Sequence, residues 1–517
     1  MSAISLKNYA LGRWVEGKGA GADIPSAVTG RIVARAGSGG LDFKAMASHA
    51  RDVGGANLRK QTFQQRAAIV KALGSAIMEK KEELYALNFH TGATRKDGWI
   101  DIEGGAGTLL SMASRAKREL PDDFLFVDGP VEQISKEGTF LAQHVYTPLR
   151  GAAVHINAFN FPVWGMLEKL SVSLLAGVPA IVKPATATAY LAEAAFRILI
   201  DTGKVPDGAL QLIVGSTGDL LDHLTGQDVV SFTGSASTAA KLKAHPTIIR
   251  ESVRFIAEQD SLNASLLGPD ATAESPEFSL FVKEVVREMT VKAGQKCTAI
   301  RRVLAPAPLL DAVQAAIADG LARTIVGDPA LEDVRMGALV SLGQRADVEE
   351  KIAMLSREAA VVFSGALKVV GADASTGAFV SPVLLRCDRP EEATAIHEVE
   401  AFGPVSTLMP YRTLDDAIAL CNRGGGSLVM SLFTHDAEIA RDVVIGAAAF
   451  HGRIIVIDRD CARESTGHGS PLPVLVHGGP GRAGGGEEMG GMRGVRHYMQ
   501  RTAVQGSPAV LKAVTGA

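Results

Sequence analysis

Residues 151–258 constrain the fold more than any other part of this chain, because short apolar, β-branched runs alternate there with helical periodicity. The spacing predicts strands at 152–156, 180–183, 210–214, 229–232 and 253–257. Helical segments at 162–176, 189–202, 218–224 and 238–244 separate them, most bounded by Gly or Pro. Strands joined through helices imply right-handed crossovers and a parallel, doubly wound sheet, so the fold class is α/β. Ligands of such sheets belong at the carboxyl ends of the strands.

The flanking sequence extends this plan. From 43 to 87 apolar residues return every three or four positions, which predicts surface helices with one buried face. In TFLAQHVYTPLRG the period changes to two, as in an extended arm able to reach a neighbouring subunit. After Asp260 the alternation resumes, with a helix at 277–293, a strand at 302–305 and a helix at 309–321, predicting a second α/β domain to about Val456. From 467 to 494 glycine dominates, as in HGGPGRAGGGEEMGGMRG, so a long loop packed close to something is expected. The late run HYMQRTAV reads as a further strand, and with the arm it favours a homo-oligomer, a dimer by expectation.

Composition excludes several functions. In 517 residues, 53 Lys and Arg against 56 Asp and Glu leave a formal charge of −3, with no basic field to recruit nucleic acid. A hydrophobic fraction of 47% with 21% charged residues is that of a packed globule. Cys297, Cys387, Cys421 and Cys461 lie far apart in no metal-ligand or disulfide spacing, so no metal is expected and a reducing, cytoplasmic setting fits. The start MSAISLKNYALGRW lacks the pattern of a secretory signal, and no apolar run is long enough to span a bilayer.

Several residues have the chemistry of a site. In VVSFTGSAS, Thr233, Gly234 and Ser235 follow a strand and open a helix, where free N–H groups suit phosphate; a plain strand-to-helix turn looks the same. In NAFNFPVW, Asn160 precedes a helix starting at Pro162, so its amide either caps that helix or points into the cleft as a donor to an oxyanion. Glu168 and Lys169 follow two turns later, a pairing usually found on solvated faces. Cys297 in AGQKCTAI is either an inert small hydrophobe or a nucleophile whose thiolate Lys296 favours. Its loop holds no base. Glu258 in FIAEQD is either a satisfied surface carboxylate or that base, with burial beside a dry cleft raising its pKa.

Taken together, NAFNFP, IVKPATATA, FTGS, the strand-end Glu258, GQKC and HEVEAFGPV resemble, in order and spacing, the aldehyde dehydrogenase superfamily. The later IDRDCARESTGHGSPLPVLVHGGPGRAGGGEE is similar to a branch acting on CoA-linked semialdehydes in aerobic aromatic catabolism. The resemblance implies a Rossmann-type cofactor domain at 1–129 and 151–259, a second α/β catalytic domain at 260–466, a small β oligomerisation arm at 130–150 and 490–510, and a Gly-rich loop at 467–489. It implies Cys297 as nucleophile, Glu258 as general base and Asn160 as half of the oxyanion hole. Lys183 matches the contact to the adenosine ribose, Gly234 and Ser235 the pyrophosphate turn, and Glu400 with Phe402 the grip on the nicotinamide ribose.

Some positions depart from the family's pattern. Thr186 stands where NAD-preferring members carry Glu, and a hydroxyl beside Lys183 accepts the extra phosphate of NADP that a carboxylate would repel, so the expected cofactor is NADP. Ala239 stands where a second glycine is common, and Glu168 where an aromatic often lines the substrate tunnel. The substrate implied is an aldehyde on a CoA thioester, with His477 or Arg482 meeting a thioester carbonyl or phosphate and the glycine-rich segment admitting the pantetheine arm. The alternatives are a loop packed on a neighbouring subunit, a CoA-acylating aldehyde dehydrogenase, and a non-catalytic nucleotide-binding oligomer.

Overall fold

A computed structural model gives the structure of the chain and describes residues 3–485 and 491–516. Two seven-stranded sheets organise it. The first runs, in spatial order, Arg254–Glu258, Val229–Thr233, Ala153–Ile156, Ala180–Lys183, Leu210–Leu212, Lys7–Ala10 and Arg13–Glu16. Its first five strands are mutually parallel and lie close to the boundaries expected from sequence. They read clearly because both faces are covered, so each strand is a nearly unbroken apolar run. The last two strands come from the amino terminus and pair antiparallel, an extension the sequence reading did not foresee.

Helices Phe63–Glu79, Arg95–Glu119, Pro162–Ala176 and Ala189–Asp201 share one core with this sheet. Thr62 and Thr94 start the first two with reciprocal caps to Gln65 and Asp97. Two helical expectations need correction. Residues 218–224 form only a 3-10 turn at Leu220–His223. The helix expected at 277–293 ends at Thr290, because Lys292 and Ala293 adopt left-handed backbone, φ 53° and 49°.

The second sheet runs Ala360–Ser364, Val383–Arg386, Val405–Tyr411, Arg302–Pro306, Ala264–Leu267, Ser427–Phe433 and His451–Ile457. All its pairings are parallel except that of Ala360–Ser364. A third sheet joins Phe126–Gln133, Leu141–Pro148 and Met499–Gly506 in antiparallel register, as the arm and the late strand foretold. The end of the expected glycine-rich loop, residues 486–489, lies outside the described residues, as does residue 490. Residues 491–496 form a short helix rather than loop, with Gly491, Gly494 and Val495 buried.

The glycine-rich segment packs against this chain's own two sheets. A Cβ on Gly452 would lie 1.7 Å from the Gly478 carbonyl oxygen, and one on Gly484 would lie 1.9 Å from that of Ala257. Gln259 N–H donates to the Ala483 carbonyl at 3.0 Å. Only glycine permits backbones to approach so closely. The segment therefore ties the edge strand of the first sheet to the second.

Candidate active site

Parallel pairing places Glu258, the last residue of the edge strand, opposite Thr233. The loop carrying Cys297 meets it from the other sheet. That loop follows three successive left-handed residues, Lys292, Ala293 and Gly294, and Gly294 is packed so that a Cβ would lie 2.1 Å from the Gly403 carbonyl oxygen. Left-handed backbone at a non-glycine residue costs roughly 1–2 kcal/mol, so the surroundings must hold it in place. They do so through hydrogen bonds. Buried Asn263 donates to the carbonyls of Cys297 and Ala299 at 2.8 and 2.9 Å. Arg301 donates to those of Gly294 and Gly403, Gln295 accepts from Val340 N–H, and Thr298 donates to Gly469.

Cys297, Glu258 and His477 converge, with one ligand-type atom of each within 4.8 Å of the others. His477 Nε2 lies 2.9 Å from a Glu258 oxygen, and both side chains are almost wholly buried. Burial pushes Glu258 upward, but the charge and contact of His477, with Cys297 and Lys169 nearby, outweigh it and hold the carboxyl at about 2. The sequence expectation of a raised value is thus reversed. Burial and the adjacent Glu258 push the Cys297 thiol well above its ordinary value. Lys296 does not reverse this, because its ammonium is bound by both oxygens of Glu288 at 2.8 Å. Cys297 therefore rests as a thiol, contrary to the expected thiolate, and must give up its proton during reaction.

Helix Pro162–Ala176 supplies the remaining groups. Asp101 accepts from Val163 and Trp164 N–H at 3.0 and 2.7 Å and so caps this helix from another element. The N-cap position of this helix is Phe161, with no side-chain capping bond. Asn160 is 7% exposed, at the carboxyl edge of the first sheet. Glu168 and Lys169 are buried, not solvated, because all of this helix but Trp164 and Gly165 is enclosed. Lys169 donates to the Thr233 hydroxyl at 2.7 Å, and burial lowers its pKa. Burial, helped by Glu258, lifts Glu168 to about 7. Glu168 lines a small cavity with Trp164, Thr108, Met112, Leu472 and Pro473.

Of the groups expected to hold a dinucleotide, Lys183 and Thr233 end strands of the first sheet, while Glu400 and Phe402 lie in the loop before strand Val405–Tyr411. Lys183 ends its strand, and its ammonium makes no hydrogen bond or ion pair among the described residues, while burial lowers its pKa. Thr186 opens the turn Thr186–Thr188 just after it. An unpartnered ammonium beside a hydroxyl is the donor chemistry that a ribose or phosphate requires. Ser235 caps helix Ala236–Lys243, and Asp260 already accepts from the Ala236 N–H. Burial lifts Glu400 to about 7, although Arg301 and the Ser261 N–H both bind it. Phe402 packs edge-on against Phe159 at 5.8 Å.

The two residues expected on the substrate side both have partners within the chain. His477 faces Glu258. Arg482 donates to the carbonyls of His397 and Glu398 and lies 4.0 Å from Asp260. Asn263 and Asp101 carry no sequence signal, and Lys169 reads from sequence only as half of a solvated pair. Its burial was signalled by the apolar run SVSLLAG that continues around every face of its helix.

Residues 14–504 match the model of the aldehyde dehydrogenase family. The chain is similar to 3,4-dehydroadipyl-CoA semialdehyde dehydrogenase of Aromatoleum evansii, at 45% identity over 92% of this chain and 93% of the relative. It is 53% identical to Protein MaoC of Klebsiella aerogenes over 35% of this chain and 52% of that protein. Among solved structures, betaine aldehyde dehydrogenase of Staphylococcus aureus in complex with NAD+ superposes with a TM-score of 0.84 at 21% identity, covering 97% of this chain and 95% of that one. At that identity the likeness concerns the fold.

Proposed function

The chain belongs to the aldehyde dehydrogenase family, and from that premise we propose that it oxidises a CoA-linked semialdehyde to the carboxylic acid with NADP as hydride acceptor. The observation that carries this reading is the convergence of Cys297 and Glu258 across the two sheets. Cys297 is the nucleophile. Its sulfur bonds to the aldehyde carbon as the thiol proton passes to Glu258, giving a thiohemiacetal whose oxygen Asn160 stabilises, a contribution of roughly 3 kcal/mol for one such donor. A bound nicotinamide dinucleotide supplies the chemistry of accepting a hydride. The carbon, having lost that hydride, remains on Cys297 as a thioester. Glu258, its proton passed on to solvent, then takes a proton from water. Hydroxide adds to the thioester carbon, the C–S bond breaks, and the acid leaves.

Lys183, Thr186, Thr233, Gly234, Ser235, Glu400 and Phe402 form the dinucleotide site in this reading. Unpartnered Lys183 beside Thr186, in place of a carboxylate, supports NADP. Segments 1–129 and 151–259 then bind the dinucleotide, 260–466 supply the nucleophile, and 130–150 with 490–510 form the arm. The exposed apolar residues Val131, Ile134 and Phe140 on that arm support a homodimer. The substrate class follows the relative acting on 3,4-dehydroadipyl-CoA semialdehyde, with Glu168 on the substrate side. Glu258 in place beside Cys297 favours water over CoA as acyl acceptor.

The test is reduced-nicotinamide absorbance with CoA-linked and free semialdehydes and both dinucleotides. NADP reduction is expected, fastest with the CoA-linked aldehyde, and abolished in Cys297→Ala. Full activity of Cys297→Ala would refute the assignment.

A further inference from the structure

Glu258 is bound by a second buried group that the proposed cycle does not use. We propose that His477 is a positioning residue for Glu258, fixing the orientation and charge of the carboxylate that activates water; this rests on the function proposed above. His477 is 3% exposed and Glu258 2%, with Nε2 2.9 Å from the carboxylate oxygen Oε2. A carboxylate buried to this degree stays ionised only beside a cation or strong donors.

The imidazole is itself held from both sides. Its ring stands edge-on against Trp164, 5.2 Å between centroids and 89° between planes. Trp164 belongs to the helix carrying Glu168 and Lys169. The backbone just after His477 is fixed by contact, since a Cβ on Gly479 would lie 2.3 Å from the Ser427 carbonyl oxygen, and Gly478 abuts Gly452. The imidazole therefore has little freedom to leave the carboxylate. One Glu258 oxygen faces His477, and the Cys297 thiol lies close to the same carboxylate.

The titratable groups around this pair come from every neighbouring element. Glu168 and Lys169 lie on helix Pro162–Ala176, Cys297 on the nucleophile loop and Arg453 on strand His451–Ile457. Although burial opposes it, the nearby carboxylates raise His477 above the ordinary histidine value. While the imidazolium persists, Glu258 is a weak base. Its base strength appears as pH rises and the imidazolium loses its proton.

The experiment uses the full chain and p-nitrophenyl acetate, an activated ester that acylates a reactive thiol without any dinucleotide. The p-nitrophenol burst reads acylation, and the steady state reads release by water. Cys297→Ala should show no burst; a burst there would sink the proposed function itself. In the parent, the steady-state rate should rise with pH along a limb centred above 6.5. His477→Gln retains an N–H donor but no charge, so its burst should persist while the limb moves down by about one pH unit or more. His477→Phe should keep the packing on Trp164 and lose roughly tenfold in release with KM little changed. If the parent and His477→Gln profiles superimpose, or if His477→Phe releases acetate as fast as the parent, His477 does not position Glu258.

Discussion

Asn263 offers the sharpest test of how the nucleophile loop is held. Its side chain is fully buried and makes four hydrogen bonds. It donates to the carbonyls of Cys297 and Ala299 at 2.8 and 2.9 Å and accepts from Ser261 Oγ at 2.7 Å and Val429 N–H at 3.1 Å. Asn263→Ala removes all four and leaves their partners without a replacement in a dry interior. At about 1 kcal/mol of net stability for each bond, the expected loss is about 4 kcal/mol. The loss should fall on the loop first, because Cys297 and Ala299 lose their carbonyl anchors next to strained left-handed backbone. Urea unfolding, followed by fluorescence of Trp14, Trp99 and Trp164, measures the stability. Alkylation of Cys297 by iodoacetamide measures the loop, and should accelerate as the thiol gains access to solvent. An unchanged urea midpoint together with an unchanged alkylation rate would refute the argument that Asn263 anchors the nucleophile.

Three further predictions address the site's charges. Glu258→Gln should still form the acyl-enzyme in a rapid burst of reduced nicotinamide while steady turnover falls roughly hundredfold or more, and stopped-flow absorbance separates the two phases. Glu168 in the folded chain is raised to about 7, above its unfolded value, so the native state binds the extra proton and stability declines as pH rises from about 4.5 through 7. Glu168→Gln should abolish that decline, gaining on the order of 2 kcal/mol over the parent at pH 8 and almost nothing at pH 4, as urea midpoints at both pH values will show. Thr186→Glu places a carboxylate beside Lys183 and should cut kcat/KM for NADP by about tenfold or more while sparing NAD; steady-state kinetics with both dinucleotides decide it.

The central strands were legible because parallel strands covered on both faces must be apolar throughout, and 180–183 and 229–233 advertise that plainly. The two amino-terminal strands were not, because KNYA and RWVE are four-residue segments with mixed burial, the second of them on the sheet edge. Cys297, Glu258 and Asn160 could be picked out as candidates because each stands at a junction between elements, where ligands meet an α/β sheet. Lys292 and Ala293 carried no signal, since left-handed backbone at a lysine and an alanine is imposed by surrounding contacts rather than local preference. The contact between His477 and Glu258 was hidden for a different reason. It depends on glycine backbones touching across the two sheets, and glycine runs look alike whether they bind a ligand or pack on their own protein.

The resting charges suggest why this site pairs two acids with two bases. Glu258 and Glu168 are both buried and influence one another, so ionising both would be costly. His477 divides them: it contacts Glu258 and keeps it ionised, while burial lifts Glu168 to about 7, well above Glu258. Environments that push two carboxyl groups apart in this way assign one to receive protons and the other to keep them. Cys297 needs that division. Its raised thiol cannot ionise unaided, and the nearest ionised acceptor is Glu258. Each proton taken from sulfur or water must then leave through Glu258, which a persisting imidazolium makes reluctant to accept it. Neutralising His477 therefore favours the first proton transfer as well as the last, and both acylation and release should gain with rising pH.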